Sequence, residues 1–122
     1  MLHGGDYFSA GNDLEAFWIG EDPGRAIQAA HSAARVDLVG ILTSLFDLEK
    51  PLVAMVKGPA VGIGFTMLTM ADFVYCTPES IFFAPFMQSF QSPEGGSSYF
   101  FPRVLGPRKT AETLMGDQIL TA

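Results

Sequence analysis

The feature that most constrains the fold of this chain is a glycine-rich segment, Gly58–Thr66, in which three glycines fall within seven residues. It follows a short apolar run, Leu52–Lys57, which is bounded by Pro51 and Gly58 and predicts a buried strand. The residues after the glycines contain no helix breaker and predict a short helix. The glycines therefore lie on a strand-to-helix turn, where the first N–H groups of the helix point outward as donors.

A turn of this kind is a simple connection in many proteins and a ligand site in others, and its own residues leave both interpretations open. It is not a nucleotide-binding P-loop, because no Gly-Lys-Ser/Thr follows it. It is also a poor dinucleotide fingerprint, since Gly62-Ile63-Gly64 lacks a third glycine. Its outward N–H groups can hold a phosphate, or an oxygen that becomes negative during a reaction.

Composition excludes several classes of protein. The 122 residues are enough for one domain with a modest core, and no run of ~18 apolar residues predicts a membrane span. The net charge of −6, with only 7 Lys and Arg, disfavours a general nucleic-acid binder. The single cysteine, Cys76, cannot form an internal disulfide and is predicted to be a buried strand residue. The two histidines lack metal-ligand spacing, so no metal site is predicted.

The predicted order is strand, helix, strand, helix, strand, strand, helix, helix, which is typical of an α/β domain with a mostly parallel sheet. An opening strand ends near Phe8. Gly11, followed by Asn12 and Asp13, predicts a second strand-to-helix turn, and an amphipathic helix is predicted from Arg25 to Glu49. The later predicted elements are strands at Phe73–Cys76 and Ile81–Ala84, helices at Ser97–Val104 and Arg108–Met115, and a short extended piece at Gln118–Leu120.

Three motifs in this order resemble the crotonase superfamily, the enoyl-CoA hydratase/isomerases. They are Phe8–Leu14, Lys50–Gly64 and Gln91–Gly95. The last is the most specific, and it is similar to the peroxisomal-type Δ3,Δ2-enoyl-CoA isomerase branch. The resemblance covers nearly the whole chain but only the middle of the family domain. It implies an α/β fold of the crotonase-like ββα spiral type, truncated at both ends, with residues 1–122 forming a single partial domain.

The resemblance also implies a chemistry and a set of site residues. The family stabilises a thioester enolate with two backbone N–H groups, which fall here on Asn12 and Ile63. Glu94 corresponds to the residue with which the isomerase branch moves a proton. Asp13 is better suited to capping a helix than to contacting the ligand. The implied substrate-binding residues are Ala10, Gly11, Asn12, Asp13, Leu14, Gly62 and Ile63.

The implied reaction is isomerisation, the conversion of 3-enoyl-CoA to 2-trans-enoyl-CoA in fatty-acid β-oxidation. The two glutamates with which family hydratases add water fall at Thr66 and Phe86, and neither position is acidic here. Taken without the resemblance, Glu94 is also consistent with a solvated turn carboxylate. The aromatic residues near it in the sequence favour instead an apolar pocket, which suits a general base.

Two other interpretations remain open, namely a non-catalytic acyl-CoA-binding or corepressor-type interaction module of the same superfamily, and an inactive truncation. No cofactor is expected, because coenzyme A is part of the substrate. By resemblance the partner is an acyl-CoA thioester, the protein is a homotrimer, and its compartment is the peroxisome or the mitochondrion. No nucleic-acid partner is expected, and no targeting signal is visible in the chain. The preferred acyl chain length is not determined by these motifs.

Overall fold

The computed structural model describes residues 6–12, 24, 27–28 and 38–122, and it divides into two compact units. One unit comprises Met1–Gly11 and Lys50–Ala122, and the other comprises Asn12–Glu49. The second unit contains helix α1, Val39–Phe46. This helix confirms the C-terminal part of the helix predicted from Arg25, and most of the rest of that prediction lies outside the described residues.

The first unit contains the described strands, and most of their pairings are parallel. β1 pairs with β3 in parallel, with Val53 opposite Phe73, and β2 pairs with β4 in parallel. β5 is antiparallel to β4. The mostly parallel α/β class is therefore confirmed. The strands are β1 Val53–Val56, β2 Ala60–Val61, β3 Phe73–Cys76, β4 Ile81–Phe83 and β5 Leu120–Thr121.

Three helices of the first unit lie where the sequence predicted helices. Helix α2, Ile63–Thr66, begins directly after the glycine turn and continues as a 3-10 helix, Met67–Met70. Helix α3 spans Ser97–Val104, and helix α4 spans Pro107–Met115. Pro107 opens α4, where its missing N–H removes no bond inside the helix.

The core of the first unit is built around Phe65 of helix α2. Its ring centroid lies 4.8 Å from that of Phe101 on α3 and 5.5 Å from that of Phe82 on β4. Aromatic pairs at these separations contribute stability beyond the apolar area that they bury. The helix that starts at the glycine turn is thus anchored to both the sheet and α3. The buried cluster consists of Val56, Ala60, Phe65, Leu68, Ala84, Phe86, Phe101 and Leu114.

The prediction that Cys76 is buried is wrong. The cysteine is exposed, and so are the other three residues of β3. The prediction of a buried strand before the glycine turn holds fully only at Val56, since Val53 and Met55 of β1 are exposed. An apolar run predicts a strand, but its burial depends on what packs against it. No helix in the described part of the chain is long and apolar enough to cross a membrane.

The packing around Phe65 gives a first test. Phe101 is fully buried, so Phe101→Ala should lower the free energy of unfolding by about 3–5 kcal/mol, because it leaves a cavity beside the Phe65 ring. Phe90 is 98% exposed, and Phe90→Ala should change this quantity by less than about 0.5 kcal/mol. Urea denaturation of the full chain measures both values. Equal effects would contradict the described core.

Candidate active site

Two segments that the sequence predicts as strand-to-helix turns lie side by side. Ser9 forms a parallel bridge with Ala60, and the N–H of Val61 donates to the carbonyl of Ser9 at 2.9 Å. A Cβ built on Gly11 would lie 3.0 Å from the carbonyl oxygen of Val61, and one built on Gly62 would lie 3.8 Å from the Gly11 Cα. The chain after Ser9 and the end of β2 therefore approach each other closely at the two glycines.

Gly62 sets the direction in which helix α2 leaves the sheet. Its backbone has φ 56° and ψ −125°, a conformation that residues with a Cβ rarely adopt. Its N–H donates to Phe83 of β4 at 2.8 Å, and its carbonyl accepts the N–H groups of Phe65 and Thr66, each at 3.0 Å. These three bonds hold the turn on the sheet at one side and on the helix at the other.

The turn leaves two N–H groups available at the start of α2. Among the residues that the structure describes, the N–H groups of Ile63 and Gly64 have no protein acceptor. This is expected, because the first N–H groups of a helix have no partner within it. Both residues are buried, so these donors stand in surroundings where a hydrogen bond to a negative oxygen is stronger than in water. The arrangement can stabilise an oxyanion.

Glu94 begins a tight turn that leads directly into helix α3. The N–H of Ser97 donates to the carbonyl of Glu94 at 3.0 Å, which closes a four-residue turn. The two central residues, Gly95 and Gly96, have φ values of 63° and 72°. Both values lie in the left-handed region that favours glycine, so this turn depends on the glycine pair. Glu94 itself is partly buried.

The glycine that follows Glu94 packs against helix α2. A Cβ built on Gly95 would lie 2.9 Å from Cδ1 of Ile63 and would overlap Oγ1 of Thr66. The turn that carries Glu94 is therefore in contact with the residue that offers an N–H group. Sequence reasoning missed this contact and the part that Gly95 and Thr66 play in it. The only signal for it was the pair of glycines directly after Glu94.

The structure brings together some of the predicted site residues. Gly11, Gly62, Ile63 and the turn of Glu94 all lie in the first unit, and Ala10 is exposed there. Asn12 belongs to the second unit, and its role as a donor stays a prediction. The predictions for Asp13 and Leu14 fall outside the described residues.

Two further features of the described residues bear on what the site can do. Thr66 and Phe86, where the glutamates of hydratases would fall, are almost completely buried, at 0% and 1% exposed. Among the described residues, no three His, Cys, Asp or Glu side chains form a group that could hold a metal ion. An open depression of about 470 Å³ contains none of the predicted site residues. It is lined by Leu105, Gly106, Pro107, Arg108, Lys109 and Glu112.

These features agree with the comparison to known proteins. The enoyl-CoA hydratase/isomerase family matches residues 1–122, and the chain belongs to this family, as its motifs predicted. Enoyl-CoA delta isomerase 2 of Rattus norvegicus is 45% identical over 97% of this chain and 29% of its own length. Enoyl-CoA delta isomerase 3, peroxisomal, of Mus musculus is 41% identical over 97% of this chain and 36% of its own.

A solved structure supports the same fold. The enoyl-CoA hydratase/isomerase from Pseudoalteromonas atlantica T6c superposes with a TM-score of 0.76 at 33% identity, covering 98% of this chain and 43% of that one. The fold is therefore crotonase-like. The chain spans about a third of the two isomerases and less than half of this structure.

The contact between the Glu94 turn and α2 gives a second test. Gly95→Ala places a methyl group against Ile63 and Thr66 in a left-handed backbone, whereas Gly40→Ala, on helix α1, meets open space. The first substitution strains the backbone and overpacks the contact with α2, and the second does neither. We expect Gly95→Ala to lower the free energy of unfolding by about 1–3 kcal/mol in urea denaturation and Gly40→Ala not to lower it. Equal effects of the two substitutions would contradict the tight contact at Gly95.

Proposed function

We propose that this chain carries the proton-transfer chemistry of a Δ3,Δ2-enoyl-CoA isomerase. The substrate is a 3-enoyl-CoA and the product is the 2-trans-enoyl-CoA, as fatty-acid β-oxidation requires. The names of the two isomerase relatives support this reaction. The observation that carries the proposal is the contact of Gly95 with Ile63, which joins the turn of Glu94 to a helix start with free N–H groups.

The reaction needs one base that removes a proton from the α carbon of the acyl chain and returns a proton to its γ carbon. The carboxylate of Glu94 removes a proton from the α carbon of the thioester, and the electron pair of that C–H bond moves into the carbonyl to form a dienolate. The same carboxyl then returns the proton to the γ carbon, where the electron pair of the β–γ double bond forms the new C–H bond. The carbonyl re-forms, and the electron pair of the enolate double bond makes the new double bond between the α and β carbons. The product has the same atoms and the same oxidation state as the substrate, so no cofactor is needed. Coenzyme A remains part of the substrate.

The backbone donors act on the oxygen of the dienolate. The N–H of Ile63 donates to this oxygen as it becomes negative, and the second donor is assigned to Asn12 on the sequence motif. Removing one donor of this type costs about 2.7–4 kcal/mol of transition-state stabilisation in comparable sites. Ala10, Gly11, Asp13, Leu14 and Gly62 are assigned to substrate binding on the same basis.

The buried residues at the positions of the two hydratase glutamates favour isomerisation over hydration. Adding water across a double bond requires groups that activate the water and deliver the proton. Thr66 and Phe86 cannot supply a carboxylate, and both are enclosed. A proton transfer within the substrate needs only Glu94.

We further propose a homotrimer in the peroxisome, a compartment that the name of the Mus musculus relative supports.

Replacing the base gives a third test. Glu94→Gln should reduce the rate of conversion of a 3-enoyl-CoA to the conjugated 2-trans product by about 10²–10⁴-fold, because the amide cannot accept the proton. The absorbance of the conjugated thioester measures the rate. The control is Glu79→Gln, which removes an exposed carboxylate and should retain the wild-type rate. Unchanged turnover in Glu94→Gln would remove Glu94 from the mechanism.

Replacing a backbone donor gives a fourth test. Ile63→Pro deletes the N–H at the first position of α2, where proline is tolerated, and should lower kcat by about 10²–10³-fold. Ile63→Val keeps the N–H and shortens the side chain, so the ratio between the two variants isolates the donor. Circular dichroism checks that both variants are folded. A ratio near one would argue against the oxyanion role of Ile63.

The alternative, a non-catalytic acyl-CoA-binding module, is separated from the enzyme by calorimetry. Titration of the full chain with a saturated acyl-CoA measures binding, and the isomerisation assay on the same sample measures turnover. Binding together with turnover supports the isomerase. Binding without turnover supports the module.

A further inference from the structure

The hydroxyl group of Ser97 has no structural use among the described residues. Its side chain is completely buried, and its Oγ is a buried side-chain atom for which the described residues supply no hydrogen-bond partner. A buried hydroxyl without a partner lowers stability, and native proteins rarely keep one without a reason. Ser97 is also not a helix cap, since α3 is preceded by Gly96 and has no side-chain capping bond.

The position of Ser97 is determined by the turn that carries Glu94. Because the Ser97 N–H donates to the Glu94 carbonyl, the α carbons of the two residues lie within about 7 Å. The buried Ser97 hydroxyl therefore belongs to the same four-residue turn as the proposed base, three residues along the chain from it.

The turn cannot easily relax to give the hydroxyl another partner. Gly95 is packed against Ile63 and Thr66 on one side. On the other side, a Cβ built on Gly96 would lie 3.0 Å from ring carbons of Phe100. The backbone between Glu94 and Ser97 is thus held by contacts on both glycines.

We propose that Ser97 is a positioning residue for Glu94, and that its hydroxyl donates to the Glu94 carboxylate when the acyl-CoA fills the site. The proposal rests on the proposed function of Glu94. Hydrogen bonds of catalytic groups are often incomplete without substrate and tighten when it binds. The donated bond orients the carboxylate toward the α carbon and stabilises its charged, proton-accepting form.

The test is Ser97→Ala, measured for stability and for catalysis in parallel. We expect a free energy of unfolding equal to or above that of the wild type, because an unpartnered hydroxyl is removed. We expect kcat to fall roughly tenfold with little change in KM, since a bond to a charged group is lost. The acid limb of the kcat profile should move to higher pH, because a carboxylate without the donor holds its proton more tightly. Ser98→Ala, at the exposed neighbour, should change none of these.

Two results would overturn the proposal. One is an unchanged kcat and pH profile in Ser97→Ala, and the other is a clear loss of stability with intact turnover, which would give the hydroxyl a structural partner. A second measurement is independent of activity. The carboxyl ¹³C signal of Glu94, titrated with a saturated acyl-CoA bound, should have a higher midpoint in Ser97→Ala than in the wild type, and equal midpoints would again overturn the proposal.

The two proposals fail in distinguishable ways. If Glu94→Gln abolishes turnover and Ser97→Ala leaves kcat and the ¹³C midpoint unchanged, only the role of Ser97 is wrong. If the wild type does not isomerise 3-enoyl-CoA but the midpoint moves in Ser97→Ala, the role of Ser97 stands and the proposed reaction is wrong.

Discussion

The contact of the Phe65 ring with Phe82 and Phe101 is the interaction on which the rest of the structure depends. Phe65 lies on the helix that begins at the glycine turn, and Phe101 lies on the helix that begins after the Glu94 turn. Packing these rings together therefore holds two helix starts in one place. The free N–H groups of the first helix and the carboxyl-bearing turn before the second are neighbours because their helices share a core.

Glycine makes that close approach possible at two positions for different reasons. At Gly62 the requirement is conformational, since the backbone leaves β2 with a positive φ directly before the first N–H groups of helix α2. At Gly95 it is also spatial, because the Ile63 and Thr66 side chains occupy the volume that a Cβ would need. Gly62 supplies a backbone conformation, and Gly95 a close backbone approach, that a residue with a Cβ would not tolerate, which suits a site whose proposed oxyanion donors are peptide groups.

Much of the local structure was predictable from the sequence, and burial was not. The helix at Ser97–Val104 and the strand at Phe73–Cys76 have the predicted bounds, and the last helix begins one residue earlier than predicted, at Pro107. Cys76 was expected to be buried and is exposed. Strand propensity arises from the residues of the strand themselves, whereas burial depends on which other segments pack against its faces.

The sequence by itself determined the turns, because glycine extends and proline restricts the backbone angles that a residue can adopt. These effects are local and need no distant partner. It also determined the family, through motifs with recognisable order. Only the tertiary structure decided that Gly95 meets Ile63, and that the Ser97 hydroxyl is enclosed without a partner. Those facts depend on which atoms fill the space between distant segments, and that space is defined only after the helices have packed on the sheet.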